Sequence, residues 1–390
     1  MEIYLDHAAT TNTDKRVFEA MLPYFEEHFG NPSSQHGYGR TANKAVSFAK
    51  EQAAKILGAK TGEIYLTSGG TESDNWAIKG IAEAAGKGHI ITTQVEHHAV
   101  LDCCVYLEKK RGFRVTYLPV NEEGLINTEE LEKAIAPDTV LISVMFANNE
   151  TGVIMPVRNI GGIAKSHGIP FHTDAVQAVG RVPINVAELG IDLLSISAHK
   201  LYGPKGIGAL YIKDGITPER FMHGGGQEKG LRAGTYNSPG AAGLGAALRI
   251  ADESAEKDNA HHHALAKRLE DGLLKIAGTR INGANASRLA GYVNASFDGI
   301  DSLALMVRLD FEGIAVSTGS ACTSGSVKPS YVLRAMGRDE NEARAALRFT
   351  IGRDNTERQI DSVISLITKF VGELRAITPF AQKNGEKHFA

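Results

Sequence analysis

Between residues 64 and 200 short apolar runs alternate with stretches of helical periodicity, and few folds satisfy that rhythm. The runs are Ile64-Tyr-Leu-Thr67, His89-Ile-Ile-Thr-Thr93, Val115-Thr-Tyr-Leu118, Val140-Leu-Ile-Ser-Val144, Phe171-His-Thr-Asp174 and Asp192-Leu-Leu-Ser-Ile-Ser197. Helical patterns lie between them at about 73–85, 100–110, 128–135 and 157–167. Strands without polar alternation, each separated from the next by a helix's length of chain, predict an α/β fold: a mostly parallel central sheet with helices on both faces. Ligands of such sheets gather beyond the carboxyl ends of the strands. Thr71, His97, Asn149, Asp174 and Lys200 all follow an apolar run, so they are expected along one edge.

The last of these runs stops at a lysine in Ser195-Ile-Ser-Ala-His-Lys200-Leu-Tyr-Gly-Pro-Lys205. A partly desolvated ammonium at a strand end loses basicity and becomes a nucleophile toward carbonyl carbon. Upstream, the Phe171 run ends in Asp174, with Gln177 three residues on. A lysine to hold an aldehyde and a buried carboxylate to keep a pyridine nitrogen protonated are the two groups that pyridoxal phosphate needs. Ser68-Gly-Gly-Thr-Glu-Ser-Asp-Asn75 places a glycine turn between a strand and a helix start. That segment either caps the helix through Thr71 or Ser73 or holds an anion at its amino terminus. His97 either stacks on an aromatic ring or bonds its own loop, and Asn149 either meets a cofactor oxygen or turns the chain. Gln177 and Ser197 stand equally open, and they gain weight only as a set.

The flanks read differently. Tyr4–Thr11 and Gly30–Gly37 are turn-rich and suit loops over a site rather than sheet, around a helical stretch at about 14–29. Helices are expected at 41–57, closed by Gly58, and at about 239–256. The segment from Gly224 to Thr235 carries too much glycine to pack by itself. His261-His-His263 points to different faces of a helix, which favours a solvated face over a metal site, and no metal is expected. Beyond it an α+β region forms a smaller domain. The division expected is a large domain over 14–257 and a small one from 1–13 with 258–390.

The formal net charge of −3 over 390 residues, with no basic stripe, leaves no nucleic-acid footprint. No apolar run is long enough for a membrane span and no signal peptide opens the chain, so a cytoplasmic location is expected. Cys103 and Cys104, adjacent on a helix, are expected to be buried, whereas Cys322 lies among small polar residues and is free to react.

Ten motifs in one order, LDHAATT, GNPSSQHGYGR, SGGTESDN, EHHAV, NNETGV, HTDAVQ, SAHKLYGPKG, LRAGT, STGSACTSGS and LRFTIGR, span nearly the whole chain. On them the sequence resembles the cysteine desulfurases of the NifS and IscS type, fold-type-I pyridoxal-phosphate homodimers. The resemblance implies Lys200 as the Schiff-base lysine and α-proton shuttle, Asp174 as the partner of the pyridine nitrogen, and His97 as the stacking ring. It puts Gln177 and Asn149 around the phenolate oxygen, and Gly70, Thr71, Ser197 and His199 on the phosphate side. Thr235 is lent from the neighbouring subunit. Arg348 holds the carboxylate of L-cysteine, with Arg353 as its competitor. Cys322 takes the substrate's sulfur as a persulfide, leaving L-alanine, and passes it to an acceptor such as an iron-sulfur scaffold protein. The serine-rich surroundings of Cys322 fit this subgroup, but the tail from Ile377 lacks the segment by which housekeeping members dock a scaffold. Selenocysteine lyase and transaminase activity on the same fold, or a non-catalytic role in sulfur assembly, are the rival expectations.

Overall fold

The computed structural model describes residues 2–318 and 329–377. Its central sheet has seven strands in the order Ile64–Thr67, Gly208–Ile212, Leu193–Ser197, Phe171–Asp174, Thr139–Ser143, His89–Thr93 and Arg114–Leu118. Only Gly208–Ile212 runs against its neighbours. The carboxyl ends of the other six strands therefore share one edge, as the alternating runs predict. The strands His89–Thr93, Phe171–Asp174 and Leu193–Ser197 are buried along their whole length, which is why they show no polar alternation. Helix Gly37–Leu57 lays Ala42, Ala45, Val46, Ala49, Ala53 and Leu57 on the core and ends at Gly58 in a left-handed conformation. It begins a turn earlier than expected because His36 caps it through the backbone N–H of Gly39. A side chain at Gly39 would place a Cβ 2.2 Å from the Ser34 carbonyl oxygen.

A second core lies under a three-stranded antiparallel sheet, with Tyr292–Phe297 between Thr279–Ile281 and Ala346–Thr350. Leu265, Leu269, Val293, Phe297, Phe349 and Val363 pack there, and helix Glu357–Ile377 covers them. The N-terminal segment is not all loop. Ile3–Tyr4 pairs in parallel with Ile314–Ala315, and Asp6 bridges to Thr350. That pairing joins residues more than three hundred positions apart, so no local pattern announces it.

The helix expected at about 239–256 runs as Ser238–Leu273, across the division expected after residue 257. No glycine or proline lies between Lys257 and Asp271 to stop it, and Leu265, Leu269 and Leu273 carry it onto the second core. The histidine run divides by helix face, and the solvated reading holds for His263 alone. His262 is buried, and His261 lies half-buried with Nε2 3.0 Å from the Asn355 carbonyl oxygen. The segment from Gly224 to Thr235 leaves Gly224, Gly225, Gly226, Gly234 and Thr235 exposed, and two ion pairs fasten it to the rest of the chain. Glu228 is buried against Lys50 at 2.6 Å and Arg232 pairs with Glu72 at 2.7 Å. Charge does there what the glycines cannot. Cys103 and Cys104 are buried, and burial pushes the Cys103 thiol up to about 12. Among the described residues no helix is long and apolar enough to cross a membrane.

Candidate active site

Strand Leu193–Ser197 gives way to a single 3-10 turn, Ala198–Lys200, and then to Tyr202 with φ at 60°. A tyrosine in the left-handed region is strained and persists only where its surroundings over-determine it. Here the Tyr202 N–H donates to Thr11 Oγ1 at 2.9 Å, and its hydroxyl accepts from the Arg353 N–H at 2.9 Å. The Arg353 guanidinium lies 4.4 Å over the ring. So held, the turn aims Lys200 at the N-terminal segment, and Nζ donates to the carbonyl oxygens of Ala8 at 2.5 Å and Ala9 at 2.7 Å.

Asp174 ends its strand buried, with Oδ1 accepting from the Val176 N–H at 2.9 Å. Burial raises its pKa, opposed by the charges of His97 and Lys200. His97 caps helix His98–Arg111, its Nδ1 accepting from the Ala99 N–H at 3.1 Å. Burial lowers its pKa, so the ring is a neutral imidazole that carries its proton on Nε2. Three buried groups behind this pair gave no signal in the sequence. Glu96 accepts from Thr93 Oγ1 at 2.8 Å and the Met145 N–H at 2.9 Å, and burial pushes it up to about 8. Asp74, driven well above its ordinary range by burial and then by Asp174, lies 3.6 Å from His172 Nε2. His172 also meets Ser143 Oγ at 2.9 Å and Ser195 Oγ at 3.1 Å.

The phosphate-side set lies at the start of helix Gly70–Ala85, after Gly69 at φ 152°. A Cβ on Gly70 would come within 2.7 Å of Val176 Cγ2, and Ser197 Cβ lies next to the same spot. The chain thus keeps a shallow cradle of backbone N–H groups there, of the kind anions use. Thr71 is exposed on its rim, and His199 reaches Thr10 Oγ1 at 3.1 Å. Burial, then Lys200 and Lys205, bring His199 down to about 4. Gln177 donates to the Ala8 carbonyl at 3.0 Å and accepts from the Tyr292 hydroxyl at 2.5 Å. Tyr292, like Asp6 below, escapes a reading by motif because it arrives from another part of the chain.

Arg348 is 4% exposed, donating to the Asn149 carbonyl at 2.8 Å and to Asp6 Oδ1 at 2.7 Å. Its Nε and Asn149 Oδ1 are buried with no hydrogen-bond partner among the described residues. Arg353, the competitor, is committed elsewhere: Nε to Asp258 at 2.6 Å, one terminal nitrogen to Ser254 at 3.0 Å and the other to Asp14 at 3.4 Å. Thr235 is exposed in the single chain, and Cys322 lies outside the described residues. The remaining candidates converge from both cores on the end of Lys200's strand. A buried carboxylate, a small-residue cradle at a helix start, a lysine, and the orphaned Nε donor of Arg348 fit an aldehyde-bearing pyridine phosphate and an amino-acid carboxylate.

Residues 3–363 match the class-V aminotransferase family. The chain is 51% identical over 383 residues to the cysteine desulfurase IscS of Methanosarcina thermophila, covering 98% of this chain and 95% of that protein. Among solved structures it superposes on a NifS-like protein with a TM-score of 0.90 at 40% identity, covering 96% of this chain and all of the other. A structure of SspA in complex with cysteine matches with a TM-score of 0.80 at 40% identity, over 90% of this chain and 99% of that one.

Proposed function

The chain belongs to the class-V aminotransferase family as a cysteine desulfurase, and on that premise we propose how its residues divide the work of turning L-cysteine into L-alanine and a persulfide on Cys322. The observation that carries the reading is the convergence of Lys200, Asp174, His97 and Arg348 beyond the strand ends. Pyridoxal phosphate, when bound, supplies the electron sink that lets the substrate's α-proton leave. Lys200 would hold its aldehyde, Asp174 its ring nitrogen, and Gly70, Thr71, Ser197 and His199 its phosphate, with Thr235 reaching in from a second subunit. Asn149 and Gln177 meet its phenolate oxygen.

The chain's own steps follow. Arg348 grips the substrate carboxylate with a planar fork, for which its unpartnered Nε is the spare donor. Lys200 Nζ, held at the end of its strand beside Ala8 and Ala9, would take the α-proton. His97, neutral with Nε2–H available, moves a further proton. Cys322 as thiolate attacks the substrate's sulfur. The carbon–sulfur bond breaks, a sulfur–sulfur bond forms, and the carbon takes a proton to leave as alanine. The persulfide then passes to an acceptor protein, an iron-sulfur scaffold or another thiol, in a reducing cytoplasm in keeping with the free thiols of Cys103 and Cys104.

We assign the active unit as a homodimer. Phe25, Phe29 and Tyr38 are 59%, 67% and 60% exposed in the single chain, with the Phe29 and Tyr38 rings 5.5 Å apart, an apolar surface that a second copy covers. Sedimentation at micromolar concentration should return a dimer; a monomer at full activity contradicts it. The reaction itself is tested by Cys322→Ser. The variant should keep the cofactor's absorbance and its response to cysteine, yet release alanine at least about 100-fold more slowly, because a hydroxyl neither attacks sulfur nor stores it. A variant near full rate sinks the role of Cys322, and a keto acid in place of alanine makes the enzyme a transaminase.

A further inference from the structure

A cavity of about 20 Å³ opens against Lys200 where the two cores meet, with Arg181, Tyr202, Asp258, His262 and Arg353 in its wall. Arg181 is the unusual member. It is 8% exposed, its guanidinium lies 5.7 Å from the centre of the Tyr292 ring, and among the described residues its side chain enters no ion pair and donates no hydrogen bond. The wall's one carboxylate is taken, since Asp258 Oδ2 accepts from Arg353 at 2.6 Å and from Ser254 at 2.6 Å. His262, 4% exposed, has neither ring nitrogen partnered, and Nδ1 of neighbouring His7 is likewise unpartnered. Burial first, and then the charge of Arg181, bring His262 to about 3 and His7 to about 4, so both rings are neutral. The wall thus offers a fixed cation and an uncharged imidazole N–H, and its one carboxylate is already bonded to Arg353 and Ser254. A buried charge left unbalanced is costly, and a counter-ion removes that cost. The volume decides which ion. It is close to that of a single water-sized sphere, so a halide enters and sulfate or phosphate does not.

We propose that this cavity binds one small monovalent anion of chloride size, held by Arg181 and His262 beside Lys200. The site needs none of the sulfur chemistry, and its test reads binding rather than turnover. The full-length, cofactor-loaded protein is melted in sodium chloride, sodium bromide or sodium gluconate at one ionic strength, gluconate being too large to enter. Both halides should raise the melting temperature over gluconate, saturably and by about 1–3 °C, and Arg181→Gln should abolish that difference. Crystals grown in bromide should show an anomalous peak within hydrogen-bond reach of the Arg181 guanidinium; this arm stands alone if Arg181→Gln does not fold. Equal melting in all three salts, an Arg181→Gln response like the wild type's, or bromide crystals with only a water at the site would each overturn the proposal.

Discussion

Arg348 and Arg353 lie five positions apart, and either can be read from sequence as the clamp for a carboxylate. Their partners separate them. Arg353 spends its fork on Asp258, Ser254 and Asp14 and its face on Tyr202, so it locks the turn that carries Lys200. Arg348 keeps a buried nitrogen in hand. Arg348→Lys, which keeps the charge but loses the fork, should raise KM for cysteine about 10–100-fold with little change in melting temperature. Arg353→Gln should lower the melting temperature instead. Steady-state kinetics and calorimetry on the two variants check this, and the reverse pattern would exchange the roles. Lys200 and Asp174 were legible as a pair, a lysine and a carboxylate each following an apolar run, where either alone would pass for a surface residue. Asp6, Tyr292, Asp74 and His172 were not, because each acquires its meaning from a neighbour distant in sequence.

The turn between strand His89–Thr93 and helix His98–Arg111 aims His97, and a buried acid fastens it. Glu96 ties that turn to Thr93 and to Met145, beyond the end of the adjacent strand Thr139–Ser143. Its folded pKa of about 8 lies above the ordinary 4.5, so the unfolded chain gives up this proton first as pH rises. The stabilisation is therefore complete below about pH 4.5 and is lost progressively up to about pH 8, at no more than about 1.4 kcal/mol per pH unit. Glu96→Gln keeps an acceptor oxygen for Thr93 and Met145 and removes the titration. Denaturant melts at pH 6 and pH 8 should show a smaller loss of stability on raising pH for the variant than for the wild type, and equal slopes would refute the role of Glu96. Helices and strands were mostly legible here, since burial on both faces leaves a continuous apolar run. The misjudged ones failed for definite reasons. The helix Ser238–Leu273 passes through a polar stretch that resembles a terminus, but no residue in it breaks a helix. The burial of His262 depends on the face that stretch presents to the second core.

In the whole molecule the site belongs to no single part. The large sheet supplies Lys200, Asp174 and the anion cradle, the three-stranded sheet supplies Arg348 and Tyr292, and the N-terminal segment crosses between them to put Ala8 on Lys200 and Asp6 on Arg348. On the roles proposed above, such an arrangement would hold an amino acid by its carboxylate over a lysine and leave the side-chain sulfur to a thiol outside the described residues. We assign that thiol to Cys322. One turnover of the cofactor-loaded enzyme with cysteine, followed by digestion and mass spectrometry without reductant, tests it most directly. One added sulfur atom is expected on the peptide containing Cys322, formed in step with one alanine. Sulfur on the peptide containing Cys103 and Cys104, or alanine formed with no sulfur retained on Cys322, would contradict it.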